Sequence, residues 1–112
     1  MPTARRILIG TVAVAALSCG WAAAAEPGIN LVIKNHKFEP AEVKVPANVR
    51  VKLVVENQDP TPEEFESHAM NREKLIPGGK KASIYLGPLE PGRYSFYGEY
   101  NEKTAQGVVI AE

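Results

Sequence analysis

The stretch PTPEEFESHAM, residues 60–70, holds several side chains that can bind a metal ion. If residues 64–70 are extended, successive side chains point to opposite faces. Phe65 would then lie in the core, and the opposite face would present four potential ligands. These are Glu64, Glu66, His68 and Met70.

Chain geometry limits how many of these side chains can share one ion. At about 3.3 Å per residue, Glu64 and Met70 lie roughly 20 Å apart in an extended segment. The ligand shell must therefore be completed from another segment, and YGEY (97–100) supplies Glu99. The predicted site combines Glu64 or Glu66 with His68 and Glu99, and Met70 and Glu73 are its outer members.

The residue types decide which metals suit such a site. Carboxylate and imidazole ligands suit Fe(II), Mn(II), Cu(II) or Zn(II), and carboxylates favour Fe(III) over Fe(II). A type 1 blue-copper centre needs a thiolate. The chain has one cysteine, Cys19, and the segment GEYNEKTAQG (98–107) has no cysteine, histidine or methionine. The sequence therefore argues against a type 1 copper electron carrier.

Two other interpretations of the same residues stay open. His68-Ala69-Met70 pairs imidazole with a thioether, which suits a periplasmic copper carrier. Alternatively, the glutamates form a solvated face, Met70 fills the core, and the domain is a metal-free interaction module.

The N-terminal segment is predicted to be a signal peptide at residues 1–25. Arg5 and Arg6 precede an apolar run, and small residues lead up to Ala25, where cleavage is simplest. This indicates export, with residues 26–112 as the mature domain in the periplasm. Lipidation of Cys19 is the less favoured alternative.

Length and charge restrict the function further. The mature 87 residues suffice for one domain. They carry 11 Lys and Arg against 13 Asp and Glu, which argues against nucleic acid or anionic lipid as a partner. No nucleophile elbow or glycine-rich phosphate loop is present.

Turn residues at short intervals predict a sandwich or barrel of antiparallel strands. The segment VRVKLVVEN (49–57) alternates most clearly, and Asn48 before it is placed where a positive φ is plausible. The other predicted extended segments are 29–35, 38–45, 82–89, 92–100 and 106–112.

Two longer segments resemble the cupredoxin family. FEPAEVKVPANVRVKLVVEN (38–57) is similar to the N-terminal half of a cupredoxin, and LEPGRYSFYGE (89–99) is similar to the strand before its ligand loop. Together with EEFES, PGGK and GEY…TAQG, they resemble the periplasmic cupredoxin component of bacterial ferrous-iron uptake systems (Ftr type), related to imelysin-linked iron-uptake proteins.

The resemblance carries expectations about fold and function. It implies an all-β Greek-key β-sandwich that binds iron, with copper as a further candidate metal. Such a protein would oxidise Fe(II) or pass iron to an inner-membrane iron permease and other periplasmic uptake components. This sequence departs from the family pattern at two positions, since Asn48 replaces the usual Gly and Asn101 stands where relatives often carry His.

Overall fold

The computed structural model describes Thr3 and residues 28–112. The predicted signal peptide and Cys19 thus lie outside the described residues, apart from Thr3. Nine strands follow one another along the described part: β1 (Gly28–Lys34), β2 (Lys37–Glu39), β3 (Glu42–Val45), β4 (Val51–Asn57), β5 (Glu63–Ser67), β6 (Arg72–Ile76), β7 (Lys81–Leu86), β8 (Gly92–Gly98) and β9 (Gln106–Ala111). A 3₁₀ turn, Glu99–Asn101, separates β8 from β9. No helix within the described residues is long and apolar enough to cross a membrane.

The strands form two sheets, as the predicted β-sandwich requires. One sheet has the order β2-β1-β4-β7 and the other has the order β3-β9-β8-β5-β6. Two of the strand pairs are parallel, β1 with β4 and β3 with β9, and the remaining pairs are antiparallel. The prediction of an all-β sandwich is confirmed, and most strand pairs are antiparallel as expected, the two parallel pairs being the exception. The parallel pairs arise because long connections return strands to the same sheet.

The core lies between the two sheets and is built by alternation along the strands. In β4, Val51, Leu53 and Val55 are buried, while the residues between them are partly exposed. Phe65 and Phe96 stack with their ring centroids 5.0 Å apart, and Phe38 meets both rings edge-on. Aromatic pairs of this kind add to the stabilisation that their buried area gives. The aromatic cluster therefore fixes β5 and β8, the two strands that carry the candidate ligands.

The turns and strand ends of the structure agree only in part with those expected from the sequence. Asn48 has φ 61°, which confirms the positive φ expected in its turn. The segment 38–45 is divided into β2 and β3 by a bend after Glu39. The expectation that residues 64–70 are extended throughout is wrong, because β5 ends at Ser67 and a turn follows.

A carboxylate at Asp59 closes the turn between β1 and β2. The backbone N–H groups of Asn35 and His36 donate to its two oxygens at 2.8 and 2.9 Å. Both turn residues have positive φ, which costs energy in residues other than glycine. The hydrogen bond from the His36 backbone lowers the pKa of Asp59 most, burial opposes it, and the Asn35 backbone and the charge of His36 lower it further.

Asp59→Asn is expected to lower the free energy of unfolding at pH 7 by about 1–2 kcal/mol, because hydrogen bonds to a charged acceptor are lost. A folded pKa below the unfolded value means that ionised Asp59 stabilises the folded state above the unfolded pKa. The difference in unfolding free energy between wild type and variant should therefore become smaller as the pH falls below about 4. Urea unfolding at pH 7 and pH 3 measures it, and a difference independent of pH would contradict this role.

Candidate metal centre

Strand β5 separates its side chains into a buried row and a row that faces the sheet surface. Glu63, Phe65 and Ser67 are buried, whereas Glu64 and Glu66 are partly exposed. This confirms that Phe65 and the two neighbouring glutamates point to opposite sides. The result is a pair of carboxylates, two residues apart, held on one face by an anchored strand.

Strand β8 brings the third carboxylate to the same place. β5 and β8 pair antiparallel, with Phe65 opposite Gly98 and Glu66 opposite Tyr97. Continuing this register places Glu99 opposite Glu64, at the point where β8 ends and the 3₁₀ turn begins. Residues far apart in sequence thus meet because of strand pairing.

The structure places carboxylate oxygens of Glu64, Glu66 and Glu99 within 4.8 Å of one another. Two ligand atoms of one ion, each about 2.0–2.2 Å from it, are separated by about 3–4 Å. Small side-chain rotations would therefore let all three carboxylates bind a single cation. Three like charges at this spacing repel one another, and a bound cation would relieve that repulsion. Glu64, Glu66 and Glu99 together form the carboxylate triad.

His68 lies at the edge of the carboxylate triad. Its Nε2 is 3.9 Å from Oε1 of Glu66 and 3.0 Å from the hydroxyl oxygen of Tyr97. The side chain is 80% exposed, so it can move towards an ion beside Glu66 at little cost. Glu73 lies opposite Glu66 in the β5–β6 register, but it does not belong to the triad.

Met70 is placed away from the predicted site. The Ser67 hydroxyl accepts a hydrogen bond from the Met70 backbone N–H, and the turn continues to Asn71, which has φ 51°. This turn returns the Met70 side chain to the hydrophobic core, where it is 8% exposed. The prediction of Met70 as an outer ligand is therefore corrected, because the turn reverses the alternation expected of an extended strand.

Two tyrosines border the carboxylate triad. Desolvation raises the pKa of Tyr97 most, and the charges of Glu66, Glu102, Glu99 and Glu64 raise it further. Desolvation also raises the pKa of Tyr100 most, followed by the charge of Glu64 and a hydrogen bond to it. Both phenols are therefore protonated at neutral pH; Tyr100 is hydrogen-bonded to Glu64, whereas the hydroxyl of Tyr97 is hydrogen-bonded to His68.

Sequence reasoning missed one residue of this region, Glu63. Its carboxyl group is buried behind the triad and contacts the 3₁₀ turn. The sequence did indicate its burial, since Glu63 is two residues before Phe65 in EEFES and therefore lies on the same face of the strand. Its charge concealed that signal, because glutamates are rarely buried unless their oxygens find partners.

Comparison with known sequences identifies the family. The family model described as a cupredoxin-like domain matches residues 7–111. The uncharacterized protein RP394 of Rickettsia prowazekii (strain Madrid E) is 43% identical over 82 residues, which span 73% of this chain and 66% of that protein.

Solved structures share the fold at low sequence identity. Auracyanin A, a "blue" copper protein from Chloroflexus aurantiacus, aligns with a TM-score of 0.67 at 12% identity, over 79% of this chain and all of that one. Amicyanin from Paracoccus versutus aligns with a TM-score of 0.61 at 20% identity, over 81% and 89%. The metal-binding domain of the Cu(I)-exporting ATPase CopA from Streptococcus pneumoniae D39 aligns with a TM-score of 0.67 at 16% identity, over 76% and 84%. With its two-sheet fold and the family match over nearly its whole length, this chain belongs to the cupredoxin-like domain family.

Proposed function

We propose that this cupredoxin-like protein binds iron in the periplasm through Glu64, Glu66 and Glu99 and serves ferrous-iron uptake. It would oxidise Fe(II), with one electron passing to an acceptor such as O₂, or pass iron to an inner-membrane permease. The observation that carries the proposal is the meeting of three carboxylates within 4.8 Å.

The chemistry of the donor set supports iron over a soft metal. Carboxylate oxygens are hard ligands, and three of them favour Fe(III) over Fe(II). That preference would assist oxidation of bound iron. It would also slow the release of iron to a partner unless that partner competes for the ion.

The absence of a thiolate supports the same conclusion. Residues 28–112 contain no cysteine, so the described domain has no thiolate donor for a type 1 copper centre. The turn that follows β8 offers Glu99 instead. The proposed protein therefore keeps the cupredoxin-like fold while using oxygen ligands.

Location and partners follow from the sequence patterns. The predicted signal peptide at residues 1–25 supports export to the periplasm. The resemblance of EEFES, PGGK and GEY…TAQG to ferrous-iron uptake cupredoxins supports an inner-membrane iron permease as the partner. The proposed role is thus to receive iron outside the inner membrane and to supply that permease.

Metal titration of the purified protein tests the proposal. Fe(II) under anaerobic conditions, Fe(III), Cu(I) and Cu(II) would be added separately at micromolar concentrations, and binding would be followed by calorimetry. We expect about one iron ion per chain, since the triad forms one cluster of donor atoms. A protein that binds none of these ions would contradict the proposal and favour a metal-free interaction module.

Copper binding through His68 is the second candidate function. It is favoured by the exposed imidazole 3.9 Å from Glu66 and by the copper proteins among the structures that share this fold. The burial of Met70 argues against a copper site formed by His68 and Met70 together.

His68→Ala separates the two candidates. In the iron-binding protein, His68 is at the edge of the site, so its loss should weaken Fe(II) binding by about ten-fold or less. A copper carrier should instead lose Cu(I) or Cu(II) binding with this variant while Glu99→Gln has little effect. Parallel calorimetric titrations of the two variants distinguish these patterns.

A further inference from the structure

A buried carboxylate joins the two segments that carry the candidate ligands. Glu63 is 1% exposed, and its Oε1 accepts hydrogen bonds from the backbone N–H of Glu64 at 3.0 Å and of Tyr100 at 2.9 Å. Its Oε2 accepts a hydrogen bond of 2.6 Å from the Asn101 side-chain amide. One carboxyl group thus contacts a ligand residue of β5 and the two residues that follow Glu99.

The surroundings of Glu63 are shaped to hold this carboxyl group. A Cβ at Gly98 would come within 2.6 Å of the Glu63 Cδ and 2.8 Å of the Ala105 Cβ. Gly98 therefore leaves the space that the carboxyl group fills. All three donors are neutral amide groups, so the charge of Glu63 is stabilised by directed hydrogen bonds rather than by a cationic side chain.

The β5–β8 ladder does not by itself fix Glu99. Its paired residues end at Phe65 with Gly98, one residue before Glu99. The turn after Gly98 is closed by its own bonds, from the backbone N–H groups of Thr104 and Ala105 to the carbonyl of Asn101. These bonds shape the turn but do not connect it to β5. The connection is made by the Glu63 carboxyl group, together with a hydrogen bond between the Tyr100 side chain and Glu64 at the protein surface.

We propose that Glu63 is a positioning residue, whose buried carboxylate holds the Glu99 turn against β5 and so sets the metal affinity of the carboxylate triad. The affinity part of this inference rests on the proposed function, while the positioning part concerns the metal-free protein. Losing the connection would let Glu99 move away from Glu64 and Glu66, and groups that orient ligands in this way typically change metal affinity by about 10–100-fold.

Three variants and two measurements test the proposal. Glu63→Ala removes both acceptors, and Glu63→Gln removes the charge but keeps an oxygen for the Glu64 and Tyr100 N–H groups. Val43→Ala, on the distant strand β3, is a control for a general loss of stability. The measurements are hydrogen exchange of the Tyr100 amide in metal-free protein, by NMR, and calorimetric affinity for Mn(II), a hard, redox-stable probe.

We expect Glu63→Ala to speed Tyr100 exchange at least about ten-fold and to weaken Mn(II) binding by about ten-fold or more. Glu63→Gln should stay within about three-fold of wild type in both measurements, because a flipped Asn101 amide can accept from the new side-chain N–H and so keep the third hydrogen bond. Val43→Ala should leave Mn(II) affinity unchanged. If Glu63→Ala does not fold, Asn101→Ala removes one of the three hydrogen bonds and should move both measurements in the same direction.

Unchanged Tyr100 exchange in Glu63→Ala, or in Asn101→Ala where that variant replaces it, would overturn the positioning role, whether or not metal binds. Equal losses of affinity in Glu63→Ala and Glu63→Gln would also overturn it, because charge alone would then explain the effect. A wild-type protein that binds no Mn(II) and no iron would instead refute the proposed function. The Tyr100 exchange would still decide whether Glu63 holds the turn.

Discussion

Glu66→Gln is expected to weaken Fe(II) binding by about a hundred-fold, which corresponds to about 2.7 kcal/mol. Glutamine has nearly the same shape, but its amide oxygen lacks the charge that makes carboxylate a good ligand for a hard cation. Glu66 is also the member of the triad that lies beside His68. Anaerobic calorimetry of wild type and variant measures the loss.

Glu73→Gln is the matched control for this prediction. Glu73 lies directly opposite Glu66 on β6, yet it is not one of the three grouped carboxylates. Its substitution removes the same charge from the same surface and should change Fe(II) affinity by only about three-fold or less. Equal losses in the two variants would mean that the acidic surface attracts cations diffusely and that the triad is not a site.

Glu66→Gln should weaken metal binding but should not destabilise the metal-free protein. Removing one of three like charges relieves repulsion, so Glu66→Gln should unfold at the same temperature as wild type or higher without metal. Added iron should stabilise the wild type more, because a ligand stabilises the folded state by RT ln(1 + [L]/Kd), which is larger for the tighter binder. The wild type should therefore melt at the same temperature as Glu66→Gln or lower without iron, and at a higher temperature with iron. That reversal would show that the clustered charges lower stability and favour metal binding.

Phe65→Ala is expected to cost about 3–5 kcal/mol of unfolding free energy. Its ring is fully buried, stacks on Phe96 and meets Phe38 edge-on, so alanine leaves a cavity at the centre of the core. A domain of this size has about 5–15 kcal/mol of stability, and the variant would be marginal or unfolded. Urea denaturation followed by circular dichroism measures the cost.

Phe65→Leu is the conservative comparison for the aromatic core. It keeps an apolar side chain, and we expect it to lose less than half as much stability as the alanine variant. Because Glu64 and Glu66 flank Phe65 on β5, the alanine variant should also lose metal binding in proportion to unfolding. A cost below about 1 kcal/mol for alanine would show that Phe65 does not anchor the strand.

The alternation of side chains made much of β4 and β5 predictable. Val51, Leu53 and Val55 in β4, and Phe65 in β5, are buried as their spacing indicates. The proximity of Glu99 to Glu64 and Glu66 could also be expected, since a metal site on this strand would need a second segment to complete its ligands. What alternation could not supply was the pairing of strands, because nothing local distinguishes the parallel β1–β4 pair from an antiparallel one.

The ends of strands were the second limit of sequence reasoning. The assumption that residues 64–70 are extended throughout places Met70 on the same face as the candidate ligands. The strand instead stops at Ser67, where a side-chain hydroxyl captures the Met70 N–H and starts a turn. Glu63 was missed for a related reason, since two of the three donors that make its burial tolerable lie 37 and 38 residues away in sequence.

The central claim is that the carboxylate triad binds iron through its oxygen atoms, with His68 as the one nitrogen donor at its edge. X-ray absorption spectroscopy at the iron K-edge, on protein loaded with one equivalent of Fe(II), measures the neighbours of the ion directly. We predict a shell of oxygen and nitrogen neighbours at about 2.0–2.2 Å that loses scatterers in Glu66→Gln and Glu99→Gln. A sulfur neighbour at about 2.3 Å, or a shell of water alone that is unchanged in both variants, would contradict the claim.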